Sequence, residues 1–178
     1  IGIMVSQSSP AISDNDLSSN KYGILLFDLS NIHIDDSTFA YNDYDVYCDN
    51  STAIVVANSQ IGNSAQLELS LSKSTLNTVN TTFSGKVYVG SGSVLTVKNY
   101  LAVDVRDKNG TPLPSANVEV KDNDVLIYSS QTNTNGLSEW VLVTDRMYIG
   151  SSAPVENITT VTVSYTNFAF LNNPRSVG

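Results

Sequence analysis

The sequence predicts an all-β fold in two parts, and three observations carry that expectation. Apolar residues recur every 22 positions through the first half. The recurrence stops near residue 98, where alternating apolar runs separated by turn residues take over. The composition also disfavours long helices: only 15% of residues are charged, and Ser, Thr and Asn stand where stronger helix formers such as Lys and Glu would otherwise be. Residues 1–98 and 99–178 are therefore expected as two small domains, each long enough to bury a core.

A fixed period decides the architecture, so the repeat is read first. At a step of 22, Ile12, Ile34, Val56 and Thr78 share a column, as do Leu17, Phe39, Ile61 and Phe83, and Pro10, Ile32, Ile54 and Leu76. Met4, Leu26 and Cys48 align as a further apolar column. Between them runs a polar column of Asp14, Asp36, Asn58 and Asn80, and Asn42 answers Asn20. A period of this length, with short β-branched runs, is one coil of a solenoid whose strands pair in parallel with their equivalents one coil away. In Ile32-His33-Ile34 and Ile54-Val55-Val56 the outer residues face inward, leaving His33 and Val55 outside. Asn and Gly turn the corners, because they tolerate left-handed backbone that β-branched residues resist. Val87 and Val89 follow Leu67 and Leu69 by only 20 residues, so Gly85–Ser93 is expected to be a shortened coil.

The stretch Ile12-Ser13-Asp14-Asn15, with Asn20-Lys21-Tyr22-Gly23-Ile24-Leu25-Leu26, resembles the parallel β-helix repeats of carbohydrate-binding and surface-layer-type proteins. The resemblance covers roughly residues 1–98 and implies a right-handed parallel β-helix of about four 22-residue coils. It does not choose a function, since this scaffold hosts lyases, hydrolases, epimerases, adhesins and structural proteins. Ile1-Gly2-Ile3-Met4-Val5 also matches Tyr22-Gly23-Ile24-Leu25-Leu26 at a spacing of 21, so the sequence starts inside a coil. Self-association, or continuation of the helix at this N-terminal edge, is the expected partner arrangement, because an open solenoid end exposes unpaired strands.

In the second half, strands are expected at Leu101–Val105, Ala116–Val120, Val125–Tyr128, Leu137–Val143 and Thr159–Tyr165, with turns at Asp107-Lys108-Asn109-Gly110 and Asp122-Asn123-Asp124. This spacing suits a small antiparallel β-sandwich. The string from Val103 to Val118, with Thr132-Asn133-Thr134-Asn135-Gly136, is similar to carboxypeptidase-regulatory-like and immunoglobulin-like modules. That similarity implies a prealbumin-like sandwich acting as spacer, cap or binding module, with no catalytic residues to carry over. Trp140, between Leu137 and Leu142, is expected in its core.

A net charge of −8 excludes nucleic acid and anionic membrane as electrostatic partners, and no apolar run is long enough to insert this segment into a membrane. Four glycosylation sequons begin at Asn50, Asn80, Asn109 and Asn157, which points to an extracellular or cell-surface location. Cys48 is the sole cysteine and shares an apolar column, so it reads as a core residue. His33 is the sole histidine, which leaves no His-based metal site or catalytic triad to assemble from this chain.

The candidate binding residues are acidic and aromatic. Asp14, Asp36, Asp43 and Asp45, with Asp16 and Asp35, could gather carboxylates from stacked coils to bind calcium or act on a glycan. The structural reading is favoured, since Asp and Asn belong at solenoid corners. Lyases on this scaffold also need basic residues beside the carboxylates, and Lys21 is the one available there. Tyr41 and Tyr44, with Tyr47, could stack on sugar rings or simply pack at the surface. Lys98, Asn167 and Glu119 loosely fit the lysine, asparagine and buried acid of isopeptide-forming sandwiches. Together these readings point to a non-enzymatic structural or adhesive component of a cell envelope, a surface-layer, sheath or filament subunit without a cofactor beyond calcium. The alternative is a polysaccharide-binding or polysaccharide-degrading β-helix protein.

Overall fold

The computed structural model describes residues 1–28, 31–166, 168–170, 173 and 175–177. They form an all-β chain in two compact units, Ile1–Lys98 with Arg146–Val155, and Asn99–Asp145 with Glu156–Gly178. The segment Arg146–Val155, expected with the second half, is thus grouped with the first.

The first unit is a right-handed solenoid of about four turns. Its first coil holds β1 (Ile3–Ser6), β2 (Ala11–Ser13) and β3 (Asp16–Ser18), and its second β4 (Tyr22–Phe27), β5 (His33–Asp35) and β6 (Thr38–Ala40). The third holds β7 (Tyr44–Asp49), β8 (Ile54–Ala57) and β9 (Gln60–Gly62). Then come β10 (Leu67–Ser72) and β11 (Thr75–Val79), and last β12 (Val87–Val89) and β13 (Val94–Leu101). Equivalent strands stack in parallel as β1-β4-β7-β10-β12, as β2-β5-β8-β11-β13 and as β3-β6-β9.

The columns read from the sequence are those of the ladders. Ile12 pairs with Ile34, Ile34 with Val56 and Val56 with Thr78, while Leu17, Phe39 and Ile61 stack likewise. These side chains are buried, whereas His33 is exposed on the outer face. Asp14, Asp36, Asn58 and Asn80 all adopt positive φ, from 46° to 56°, so this column is the corner that needs residues tolerant of the left-handed region.

Two registers differ from expectation. Met4 pairs with Leu25, and it is Val5 that stacks on Leu26 and Cys48, so the first step is 21 residues and Met4 is 60% exposed. A slip of one residue reverses the face of every side chain in a strand, and burying Val5 settles which register wins. At the other end, Val87 and Val89 pair with Leu69 and Leu71, a step of 18 rather than 20. The shortened coil is real and tighter than expected.

Glycine has a steric role at Gly23. A β-carbon there would lie 2.7 Å from the Asp45 backbone oxygen, 2.9 Å from Asn42 Nδ2 and 3.1 Å from Phe39 Cδ1. Backbone cannot yield as a flexible side chain would, so Gly23→Ala is expected to cost about 1–3 kcal/mol. Urea denaturation of the variant checks this, and an unchanged midpoint would contradict the packing.

At the last coil, Gly150 N donates to Ser93 O at 3.0 Å and Tyr148 packs against the solenoid core. The returning segment therefore covers apolar surface that the shortened coil leaves uncovered.

The second unit contains β14 (Asn117–Asp122), β15 (Val125–Gln131), most of β16 (Val141–Ile149), β18 (Thr159–Ser164) and β19 (Arg175–Val177). The two-residue strand β17 (Val155–Glu156) lies where the chain returns from the first unit. A small antiparallel sheet runs β15-β14-β18-β19, and its Val118, Val120 and Val161 share a core with Val105, Leu113, Ala116, Val141 and Val143. Leu101–Val105 is not the expected strand. Leu101 ends β13, and Val105 instead donates its N–H to Gly136 O and accepts from Leu113 N, a loop pattern rather than a ladder. Trp140 is 72% exposed, which corrects its expected place in the core. Successive strand residues alternate faces, and Val141 and Val143 take the inward positions, so Trp140 and Leu142 face out.

Candidate functional site

The acidic residues singled out in the sequence do not converge. Asp14 and Asp36 occupy left-handed corners and are exposed, and Asp43 is exposed before β7. Asp45 points into the solenoid and is fully buried. Among the described residues no group of three or more His, Cys, Asp or Glu side chains is placed to hold a metal ion.

Inside the solenoid there is instead a polar column that sequence reasoning missed. Val46 pairs with Leu69, so Asp45 and Glu68 occupy equivalent positions one coil apart, both fully buried. Glu68 is thoroughly hydrogen-bonded. Its carboxylate accepts from Ser84 Oγ at 2.7 Å and from the backbone N–H groups of Ser84, Gly85 and Lys86 at 2.8, 3.0 and 3.2 Å, clamping the turn before the shortened coil. Asp45 Oδ1 accepts from Asn42 Nδ2 at 2.8 Å, while Asp45 Oδ2 has no partner. Burial pushes the Asp45 carboxyl up to about 6, with the nearby Glu68 charge adding to the rise. The available signal was an acidic residue directly before Val46 and before Leu69, at the inward phase of two successive coils.

Asn42 completes this interior, donating to Leu17 O as well as to Asp45 and accepting from Asn20 N. The expected match of Asn20 with Asn42 is thus a ladder of side-chain and backbone hydrogen bonds between coils.

On the outer face of the first parallel sheet lies an aromatic cluster. Tyr22 and Tyr44, paired in register, stack with ring centroids 5.3 Å apart, and Tyr47 meets them edge-on at 5.4 and 5.9 Å. Lys21 Nζ sits 5.6 Å over the Tyr22 ring. Burial and the nearby Asp49 charge raise the Tyr47 phenol further above its usual range, so it stays a neutral hydroxyl. Tyr41 is 69% exposed at a left-handed corner and makes no ring contact with this cluster. Chemically, the cluster offers flat apolar faces and neutral hydroxyls.

The remaining candidates separate by environment. Cys48 is fully buried and burial pushes its thiol pKa up, away from the reactive thiolate. Glu119 is exposed on β14, which removes the buried acid that an isopeptide arrangement needs; Asn167 lies outside the described residues. Of the sequons, Asn109 is exposed on the turn organised by Asp107, which accepts from Asn109 N and Thr111 N. Asn50 and Asn80 are exposed, and their amides donate to Asp28 and Asn58. The Asn157 amide nitrogen is buried.

The family model described as a right handed beta helix region matches residues 1–134. No curated protein and no solved structure gives a significant match.

Proposed function

Because the chain belongs to the right-handed β-helix family, we propose that it is a non-enzymatic structural or adhesive component of a cell envelope, of surface-layer, sheath or filament type. One observation carries the reading. The two carboxylates brought into register, Asp45 and Glu68, are sealed in the core where no substrate reaches them, and the exposed ones, Asp14, Asp36 and Asp43, are spread over separate corners. An acid/base pair that acts on a glycan must meet it.

In this reading the protein is extracellular and its N-linked glycans sit on exposed sequons, with Asn109 the best placed and Asn157 the worst. Copies associate through β1, β2 and β3, each of which ends its sheet. The antiparallel half serves as a spacer of carboxypeptidase-regulatory-like or immunoglobulin-like type. Calcium, if bound, belongs to the exposed corner carboxylates rather than to a preformed cage.

Electron microscopy of concentrated protein, with glycopeptide mass spectrometry of native material, tests the proposal. Filaments or lattices and a modified Asn109 are the expected outcome. Turnover of a polysaccharide that is lost in Asp36→Ala or Asp43→Ala would overturn it.

The aromatic cluster favours the second reading, a polysaccharide-binding or polysaccharide-degrading protein of carbohydrate-binding type, with sugar rings stacking on Tyr22, Tyr44 and Tyr47. Retention on a glycan array that disappears in Tyr44→Ala would favour it.

A further inference from the structure

We infer that β15 is a homotypic docking edge, to which a second copy of this chain adds its own β15 as an antiparallel strand. β15 ends its sheet and pairs with β14 alone, so one row of its backbone N–H and C=O groups has no strand partner. None of its seven residues is buried, and Val125, Leu126 and Ile127 are 65%, 52% and 40% exposed. Folded proteins blunt such edges with charge, proline or a covering element. β15 carries neither charge nor proline.

The occupant follows from charge and hydrogen bonding. Only an extended strand can satisfy a row of backbone groups at this spacing. A partner selected by charge would gain nothing from an uncharged strand. A second copy of β15 brings the same apolar and hydroxyl side chains, and any antiparallel register within Val125–Gln131 opposes no two charges, although the chain carries −8 overall.

The register shift between Val120 and Lys121 puts Ile127 out of step as an extra residue, which leaves Tyr128–Gln131 as the regular stretch for pairing. Val125 to Ile127 then contribute apolar contact at the hairpin end. Ile158, 60% exposed, is held beside the same turn by Ile158 N donating to Asn123 Oδ1 and Asn123 N donating to Ile158 O, and widens that apolar flank. A single added strand buries less than the roughly 1,200 Å² typical of stable complexes. The dimer is therefore weak and dependent on concentration.

Sedimentation equilibrium of the full chain across a wide concentration range, beside hydrogen exchange at low and high concentration, tests this. A reversible dimer is expected, with Tyr128–Gln131 amides exchanging more slowly as it forms. Leu126→Lys and Ile127→Lys replace exposed side chains, so the circular dichroism spectrum should be unchanged while the dissociation constant rises at least about tenfold. Met4→Lys, at the exposed edge of the solenoid, should leave this dimer intact, which separates it from association through β1 to β3. A monomer at every concentration, or a dimer indifferent to both β15 variants, would overturn the inference.

Discussion

Asp45→Asn is expected to stabilise the solenoid by up to about 3 kcal/mol near neutral pH, and the gain is expected to vanish by about pH 4. The Asp45 carboxyl titrates from 3.8 in the unfolded chain to about 6 in the folded one. A shift of about two units, at 1.36 kcal/mol each, sets the magnitude. The folded state binds the proton more tightly than the unfolded state does. This residue's contribution is therefore fully favourable below 3.8 and is lost as pH rises through about 6. Asn keeps an oxygen for the 2.8 Å hydrogen bond from Asn42 and removes the charge whose burial is costly.

Other carboxylates confuse a pH curve of the parent alone. Asp107, for example, has its carboxyl held below the usual range by backbone N–H groups of Thr111 and Asn109, so it acts in the opposite direction. Subtracting the parent curve from that of Asp45→Asn removes such contributions. Urea unfolding of both proteins across pH gives the difference directly. A difference that is flat, or largest in acid, would show that Asp45 is not the buried acid described here.

The other large effect is expected at Phe39. It is among the largest fully buried side chains and stacks between Leu17 and Ile61 in adjacent coils. Phe39→Ala leaves a cavity bounded by both neighbours and is expected to cost about 3–5 kcal/mol. In a solenoid each coil is stabilised mainly by its neighbours, so the loss should be felt across the coils rather than at one strand. Hydrogen exchange provides the check. Protection should fall in β4 to β9 while β14 and β18, in the other unit, keep theirs. An effect confined to the Thr38–Ala40 strand would mean that the coils are not coupled through this column.

Much of the solenoid was legible because its geometry repeats. A residue such as Ile34 meets the same surroundings as Ile12 and Val56, so three weak preferences at a step of 22 make one strong one. Corners were legible for the same reason: Asp14, Asp36, Asn58 and Asn80 recur where the backbone turns left-handed. Where the period falters, the reading lost accuracy. The Met4 column was one residue out, and the last coil is 18 residues rather than 20. The antiparallel half offers no repeat to average over. There alternation predicted strands such as β14 and β18 well, but it could not tell which phase faces inward, and Trp140 fell on the wrong side.

The candidate site was less legible than the fold. Asp43 and Asp45 look alike in the sequence, yet one is exposed and the other sealed beside Glu68. Tyr22, Tyr44 and Tyr47 form one cluster because register brings two coils together, whereas Tyr41, only three residues from Tyr44, projects alone from a corner.

By itself the sequence determined that this chain coils in parallel on a 22-residue period and then changes to antiparallel strands. Side-chain periodicity is a local property, and burial of apolar columns follows from it. Tertiary structure alone decided which polar residues enter the core, which aromatics meet, and that Arg146–Val155 returns to the solenoid. Those outcomes depend on register between coils, and a shift of one residue, too small to alter composition or pattern, moves a side chain from solvent to core.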